Sequence, residues 1–311
     1  MKNNLSNIKK SKLYLDKNDC VGIPTETVYG LAANAYSDMA TSKIFRLKKR
    51  QKKNPLIVHY YSIEMLKKDC HINNNFIKLK KKFCPGPITF VLKLKKESKI
   101  SKNVTNNKKT LAIRFPKHSL TRKLLKNLKY PLAAPSANIS TKISPVSKKD
   151  VEEEFGKKIK FILDGGNSKI GLESTIVSLI NKPQILRLGG LEINKINRVL
   201  RTNLKFNNKK KTIIMPGQHR LHYSPGIPIR LNIKKPKTNE AFILIKKRKI
   251  SKKNFYYLTK KKNLKDAAKK LYKILRMIQN KKFKSIAVQK IPNIGFGLAI
   301  NDRLIRASKL Q

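Results

Sequence analysis

Short apolar runs alternate with segments of helical periodicity along most of the chain. Residues 88–94 carry apolar side chains at every second position, which predicts a strand with one buried face. Residues 38–50 repeat apolar side chains at helical spacing, which predicts a helix with Ser37 or Asp38 as its N-cap. The same reasoning predicts strands at 21–23, 56–59, 111–115, 161–163, 175–180 and 184–188, and helices at 76–83 and 119–128.

A second alternation begins at residue 229. It predicts strands at 241–245, 255–258 and 285–289, and helices at 264–278 and 297–310. Residues 201–228 have no periodic pattern and contain prolines and glycines, which predicts a linker. We therefore expect two α/β domains. Residues 8–200 should form a twisted mixed sheet with flanking helices, and residues 229–311 a smaller, Rossmann-like unit.

The composition limits the class of protein. The 311 residues are enough for two domains. No apolar stretch reaches the length of a membrane span, and the lysine-rich N-terminus lacks the apolar core of a signal peptide. Cys20, Cys70 and Cys84 match neither a disulfide framework nor a zinc pattern. We therefore expect a cytoplasmic protein with free thiols and no membrane partner.

The net charge of +56, from 73 basic and 17 acidic residues, has two explanations. Clustered lysines and arginines neutralise phosphates, which would indicate a nucleic-acid partner and weak RNA binding. A bias of composition toward Lys, Asn and Ile would instead spread charge over every solvated face. The even distribution along the chain favours the bias. A diffuse positive field should still attract ATP, bicarbonate and tRNA-associated partners.

Residues 22–34, GIPTETVYGLAAN, interrupt the apolar pattern with polar side chains. The rigid bend at Pro24 is followed by Thr25, Glu26 and Thr27, which is typical of the floor of a polar pocket. Further strings of polar and small residues follow at 47–59 (LKKRQKKNPLIVH), 85–89 (PGPIT), 111–116 (LAIRFP), 134–138 (APSAN), 163–166 (LDGG), 171–177 (GLESTIV) and 185–190 (ILRLGG).

Taken together and in this order, these motifs resemble the YrdC family, in the two-domain form that has a C-terminal extension. The resemblance implies a YrdC-like fold and the ATP-dependent synthesis of L-threonylcarbamoyl-AMP from L-threonine and bicarbonate or CO₂, with release of pyrophosphate. It also implies that the product serves N6-threonylcarbamoyladenosine modification of tRNA, and that separate partner proteins transfer the group. Mg²⁺ is expected with the ATP, although no cluster of carboxylates indicates a protein site for it.

Arg114 lies in an apolar strand, where a buried arginine needs a partner. That partner is either a carboxylate of the protein, for which Glu26 and Glu173 are candidates, or the carboxylate of a bound amino acid. His59 ends another apolar strand, where a histidine is commonly a satisfied core residue. The resemblance implies that threonine is bound by Thr27, His59, Arg114 and Ser174.

Lys48 and Arg50 carry charges that suit phosphate oxygens, although such a run is commonly a solvated helix end. The family's string usually reads Lys-Gly-Arg-Pro, and here Lys49 and Gln51 replace the glycine and the proline. The linker 201–228 is expected to fold over the nucleotide as a lid. The resemblance implies that ATP is bound by Lys48, Arg50, Asn54, Thr110, Ala134, Ser136, Ser144, Arg187 and Tyr223.

The chain contains neither a Walker-type phosphate loop nor a recognisable nucleophile triad. We therefore expect no catalytic nucleophile and a mechanism that works by positioning and charge neutralisation. Residues 297–304 are similar to the family's C-terminal signature, and their place inside a predicted helix indicates a stabilising role.

Two other functions are compatible with parts of the sequence. A double-stranded RNA-binding protein without ATP turnover would bind RNA in a strongly salt-dependent manner. A carbamoyl-adenylating domain of hydrogenase maturation uses a related fold, but this chain lacks that family's acylphosphatase domain and zinc-binding cysteines.

Overall fold

The computed structural model describes residues 2–206, 222–248, 251–261 and 263–308, with side chains in the first helix described from Leu5 onward. Residues 207–221 of the predicted linker lie outside the described residues, as does the end of the last predicted helix, residues 309 and 310.

The elements follow the alternation that the sequence predicts. The strands are β1 Val21–Ile23, β2 Gly30–Asn34, β3 Ile57–His59, β4 Ile88–Lys93, β5 Thr110–Arg114, β6 Leu132–Ala133, β7 Phe161–Ile162, β8 Thr175–Ser178, β9 Gln184–Arg187, β10 Ile229–Leu231, β11 Glu240–Lys246, β12 Phe255–Thr259 and β13 Ser285–Val288. The helices are α1 Lys2–Asp16, α2 Asp38–Lys48, α3 Ile63–Lys67, α4 Asn74–Phe83, α5 Lys102–Thr105, α6 Ser119–Lys126, α7 Lys148–Phe155, α8 Ile193–Leu200, α9 Leu264–Gln279 and α10 Phe296–Ala307.

Two sheets share no strand. The first has the order β7-β1-β2-β6-β3-β5-β4-β8-β9 and is mixed, with β3–β5 and β4–β8 parallel and β4–β5 and β8–β9 antiparallel. The second has the order β10-β13-β11-β12, and its pairings are all parallel. Parallel strands need a crossover, which α9 supplies between β12 and β13. The predicted mixed sheet and the second α/β unit are thus confirmed.

Helices cover both faces of the first sheet. On one face α1 and α6 pack against β1, β2 and β6, and on the other α2 and α4 pack against a larger apolar cluster. Alternate residues of β2 join different clusters: Leu31 and Ala33 lie in the larger one and Ala32 in the smaller, because successive side chains of a strand face opposite sides. The larger cluster continues into the C-terminal unit, so apolar packing joins the two units.

Several elements had no signal in the sequence pattern. β2 lies within the stretch that we expected to be a pocket floor, and it shows no alternation because both of its faces are buried. α1 is rich in lysine, and its buried face is reduced to Ile8, Ser11 and Leu15. The predicted cap at Ser37 is confirmed, since its side chain accepts a hydrogen bond from the Ala40 N–H.

Cys20, Cys70 and Cys84 are free thiols, as expected. Within the described ranges, each helix is too short or too polar to cross a lipid bilayer.

Two neighbouring residues of α4 test the packing of the first domain. Phe76 is fully buried and meets the ring of Phe90 edge-on at 5.0 Å, whereas Ile77 is 49% exposed. We expect Phe76→Ala to lower the free energy of unfolding by about 3–5 kcal/mol, because it leaves a cavity. Ile77→Ala should cost less than about 0.5 kcal/mol. Urea denaturation of both variants is the measurement, and equal losses would contradict this packing.

Candidate active site

A chamber lies over one face of the central strands of the first sheet. Ile57 and His59 of β3 both line it, whereas Val58 between them packs in the core on the other side. The cavity inside the chamber has a volume of about 40 Å³. Its lining consists of Thr25, Val28, Tyr29, Gly30, Arg50, Ile57, His59, Arg114, Ala134, Pro135, Ser136, Glu173, Ser174, Arg187, His222 and Tyr223.

Arg114 forms a buried ion pair and still has donors to offer. Its Nη2 donates to Glu26 Oε1 at 2.7 Å, and Glu26 Oε2 accepts from the Lys117 N–H at 2.9 Å. The protein partner left open by the sequence is therefore Glu26. The Nε of Arg114 is buried and has no hydrogen-bond partner within the described ranges. A guanidinium has five N–H donors, so the internal pair and a bound carboxylate are compatible.

His59 lies beside Arg114, because the two residues are register partners at the ends of the parallel strands β3 and β5. The imidazole is 2% exposed, and its Nδ1 has no hydrogen-bond partner in the part of the chain that the structure describes. Burial, and then the charge of Arg114, hold the pKa of His59 well below its usual range. The ring is therefore neutral near pH 7, and one of its nitrogens can accept a hydrogen bond.

Ser174 connects two strands across the chamber. Its hydroxyl is 2.7 Å from Thr89 Oγ1 and accepts from Arg187 Nη2 at 3.1 Å. The Ser174 carbonyl also accepts from Arg187 Nε and Nη2. These bonds hold the guanidinium of Arg187 in a fixed orientation at the end of β9.

Arg50 is the second cation of this part of the chamber. It donates from Nε to the Asn54 carbonyl at 3.1 Å and from Nη2 to the Pro55 carbonyl at 3.0 Å. Burial and the charge of Arg187 lower the pKa of Arg50 to about 9, which leaves it charged at neutral pH. Neither arginine forms a salt bridge with a carboxylate of the described chain. The pair therefore favours an anionic ligand with several oxygens, such as a phosphate chain.

The loop after α2 keeps its conformation without the family's glycine. Lys49 has φ +48°, in the left-handed region, and its N–H bonds back to the carbonyls of Arg46 and Phe45. This C-cap is a position that glycine adopts more readily than lysine. The departure from the family's string thus changes the residue but leaves the helix end in the geometry that suits a glycine.

The structure does not bring five of the predicted residues to the chamber lining. Lys48 is buried, and its Nζ donates to the carbonyls of Ser136 and Asn138 instead, tying α2 to the 134–138 loop. Thr110 begins β5, at the opposite end from Arg114, and lines a separate groove with His71 and Lys93. The residues away from the lining are Thr27, Lys48, Asn54, Thr110 and Ser144.

Local hydrogen bonds explain two of these positions. Thr27 Oγ1 is 2.8 Å from Thr25 Oγ1, and it is Thr25 that lines the chamber. The Ser144 hydroxyl donates to Glu173 Oε1 at 2.6 Å, so Ser144 acts on the chamber wall from behind. The predicted residues that do line the chamber are His59, Arg114 and Ser174 for threonine, and Arg50, Ala134, Ser136, Arg187 and Tyr223 for ATP.

The C-terminal unit also reaches the chamber wall, which the sequence analysis did not predict. Arg303 of α10 donates from Nε to Glu173 Oε2 at 2.9 Å, and the hydroxyl of Tyr272 on α9 donates to the same carboxylate. Tyr223 stacks on Tyr272, with ring centroids 5.7 Å apart. The stabilising role expected for residues 297–304 is therefore incomplete. The similarity of that segment to a family signature was the signal, but a helical pattern does not show which distant carboxylate an arginine meets.

The donor set does not fit a protein cage for Mg²⁺. No group of three or more His, Cys, Asp or Glu side chains in the described ranges is placed to hold a metal ion. Both oxygens of Glu173 and both of Glu26 already accept hydrogen bonds from the protein. Magnesium accompanying ATP stays a prediction, and no step of the chemistry below depends on it.

The depressed pKa of His59 predicts a pH dependence of stability. Below pH of about 6.5 an unfolded histidine takes up a proton that the buried His59 does not. The free energy of unfolding should therefore fall with falling pH, by at most about 1.4 kcal/mol per pH unit for this group. Urea denaturation between about pH 5 and about pH 7.5 should give a smaller pH slope for His59→Gln than for the wild type. His71→Gln, at an exposed histidine, is the control, and an unchanged slope in His59→Gln would refute the assignment.

Comparison with known proteins agrees with this geometry. A Sua5, YciO and YrdC family model, described as telomere recombination, matches residues 13–189. A second model, the C-terminal domain of threonylcarbamoyl-AMP synthase, matches residues 191–309. The two family models meet in the loop between β9 and α8. The domain boundaries predicted from the sequence, at residues 200 and 229, stay a prediction.

Proteins named threonylcarbamoyl-AMP synthase resemble the chain over almost its full length. The one from Pyrococcus abyssi is 34% identical, over 95% of this chain and 92% of its own. The one from Bacillus subtilis is 33% identical, over 97% of this chain and 92% of its own. The crystal structure of P. abyssi Sua5 complexed with L-threonine superposes with a TM-score of 0.89, covering 97% of this chain and 94% of that one at 32% identity. The chain belongs to the Sua5/YrdC family of threonylcarbamoyl-AMP synthases, in its two-domain form.

Proposed function

We propose that the chamber binds ATP and L-threonine side by side and joins them, through bicarbonate or CO₂, into L-threonylcarbamoyl-AMP. One observation carries this proposal. A single chamber contains Arg50 and Arg187, which form no salt bridge with a carboxylate of the described residues, together with Arg114, which has a buried donor without a partner among those residues and lies beside a neutral histidine. The first pair suits phosphates, and the second suits a small amino acid.

The amino-acid side has the donors and acceptors that threonine needs. The Nε of Arg114 is available for the threonine carboxylate, in a site dry enough to strengthen that bond. The unpartnered Nδ1 of His59 and the hydroxyl of Ser174 supply polar contacts for the amine or the side-chain hydroxyl. The P. abyssi relative, whose structure has L-threonine bound, supports threonine as the amino acid.

The reaction needs positioning more than covalent help from the protein. The threonine amine attacks CO₂ and loses a proton to give a carbamate, or forms the same carbamate from bicarbonate with loss of water. One carbamate oxygen then forms a bond to the α-phosphorus of ATP, the bond from that phosphorus to the α,β-bridging oxygen breaks, and pyrophosphate leaves. Arg50 and Arg187 would stabilise the charge that develops on the phosphate oxygens. Ala134 and Ser136 line the same chamber and would place a backbone and a hydroxyl beside the nucleotide.

The similar proteins favour the synthase function over the alternative of an RNA-binding protein without ATP turnover. The matching curated proteins named above are synthases. We further propose that the product serves threonylcarbamoylation of tRNA by separate partner proteins. Weak binding of RNA by the lysine-rich surface stays a prediction.

The reaction gives the most direct test. Pyrophosphate release by the full chain should require ATP, L-threonine and bicarbonate together, because the carbamate is the nucleophile. Release from ATP alone, or at an equal rate with any amino acid, would contradict the proposal. Arg114→Lys should raise the KM for threonine about tenfold or more, since lysine lacks the forked donors. Arg122→Lys is the matched control: Arg122 bonds to the Tyr61 carbonyl and does not line the chamber.

We also propose that the end of the linker is a lid. The Ser224 N–H bonds to the Thr141 carbonyl at 2.9 Å, which places His222 and Tyr223 in the chamber wall. Among the described residues, neither the Tyr223 hydroxyl nor His222 Nδ1 has a hydrogen-bond partner, so few polar bonds to this part of the chain hold the two side chains. A cavity of about 40 Å³ is too small for a nucleotide, so part of its wall has to move when ATP binds, and we assign that movement to this segment.

Two substitutions at Tyr223 separate its ring from its hydroxyl. Tyr223→Ala should raise the KM for ATP severalfold, because it removes the ring that stacks on Tyr272. Tyr223→Phe should behave like the wild type, because the hydroxyl has no partner. Steady-state kinetics with ATP as the varied substrate is the measurement. Wild-type ATP affinity and turnover in Tyr223→Ala would show that the lid does not exist.

A further inference from the structure

Two buried arginines cross from the C-terminal unit into the first domain. Arg303 on α10 donates to Glu173 and, through Nη2, to the Leu188 carbonyl at 2.7 Å. Arg276 on α9 donates to the Ile143 carbonyl at 2.6 Å and to Glu154 Oε1 at 3.3 Å. The two have the same chemistry, a guanidinium that bridges a carboxylate and a carbonyl. They differ in what they reach, since Glu173 lines the chamber and Glu154 does not.

Arg303 meets the chamber wall at three separate points of the chain. Its Nε reaches Glu173, which precedes β8, and its Nη2 reaches Leu188, the residue after Arg187. Its guanidinium carbon lies 4.9 Å from the centre of the Tyr223 ring. The side chain is 1% exposed, and Asp302 also fixes it, accepting from Nη1 at 2.6 Å.

The segments around Glu173 and Leu188, two of those that Arg303 joins, are packed too tightly to move independently of each other. Gly189 lies against the backbone of Glu173, Ser174 and Thr175, where an added Cβ would clash. Arg187 in turn donates to the Ser174 carbonyl. A shift of Leu188 or Glu173 would therefore be felt at both Arg187 and Ser174.

The Glu173 carboxylate itself depends on its partners. Burial alone would raise its pKa, but the charges of Arg303 and Arg187 and the hydrogen bond from Ser144 outweigh that effect and lower the pKa to about 2. Without Arg303 a buried charge would lose its closest cation, and the surrounding wall would have to rearrange or take up water.

We propose that Arg303 is a positioning residue of the active site, so that the C-terminal unit completes the nucleotide side of the chamber by holding Glu173, Leu188 and Tyr223 in place. This inference rests on the proposed function, because it assigns the Arg187 and Tyr223 side of the chamber to ATP. The amino-acid side is coupled to Arg303 indirectly, through Ser174, whereas Arg114 and its partner Glu26 receive no bond from Arg303, so threonine binding should be affected less than ATP binding.

The rival explanation is that Arg303 only holds the two units together. Arg276 separates the explanations, because it is also a buried bridge between the same units, 8% exposed, and its partners Ile143 and Glu154 do not line the chamber. If Arg303 contributes only to stability, Arg303→Gln and Arg276→Gln should both lower the melting temperature. The two folded variants should then have the same kinetic constants.

The experiment compares the full-length wild type with Arg303→Gln, Arg303→Lys and Arg276→Gln. Thermal melting, ATP binding by calorimetry without turnover, and pyrophosphate release are measured for each. Arg303→Gln should weaken ATP binding and lower kcat/KM for ATP about tenfold or more, and it should raise the KM for threonine by a clearly smaller factor. Arg303→Lys should recover part of the loss, because an ammonium can pair with Glu173 but cannot also bond to Leu188. Arg276→Gln should lower the melting temperature and leave ATP binding unchanged.

Each outcome decides a separate point. ATP binding that is equal in the wild type and Arg303→Gln, or equally weakened in Arg276→Gln, would overturn the positioning role. If Arg303→Gln does not fold, Arg303→Lys replaces it, and wild-type ATP affinity in that variant would overturn the proposal. A wild type that binds ATP but releases pyrophosphate without threonine would refute the proposed function, while a loss of ATP binding in Arg303→Gln would still support the positioning role.

Discussion

The chamber depends on one buried carboxylate that two domains share. Glu173 belongs to the first domain by sequence, yet its oxygens accept bonds from Ser144 on one side and from Tyr272 and Arg303 on the other. An isolated carboxylate in this position would cost far more free energy than a fold of this size can spare. The wall of the chamber therefore keeps this arrangement because the C-terminal unit is docked against the first domain.

The distribution of charge follows the same logic. The chain has 73 basic residues, but most of its lysines lie on solvated faces where they cost little. Within the chamber the cations are arginines, and each is fixed by bonds to carbonyls or to a single carboxylate. A forked guanidinium can be held by the protein through some N–H groups and present the others to a ligand, which a lysine cannot do with comparable precision. Lys48 illustrates the contrast, because its ammonium is used up on two carbonyls of the 134–138 loop.

The fold was predictable where one face of an element is buried and the other is exposed to solvent. β4, α2 and α9 have such faces, and their positions agree with the pattern to within a few residues. The sequence pattern did not predict β2, because a strand buried on both sides shows no alternation. The pattern did not predict α1 either, because three buried positions in a lysine-rich segment give only a weak helical period. They nevertheless suffice for the helix to pack against β1 and α6.

The sequence by itself determined the two α/β units, the family, and the short polar motifs from which the chamber is built. It also determined that Arg114 would need a partner, because a guanidinium in an apolar strand cannot be left alone. Only the tertiary structure decided which members of each motif face the chamber, such as Thr25 in place of Thr27, since this segment is neither strand nor helix and its side-chain directions follow from its own hydrogen bonds rather than from a regular period. It alone brought Arg303 to a carboxylate 130 residues earlier in the chain. Contacts of that separation are set by how whole elements pack, and no local pattern of residues records them.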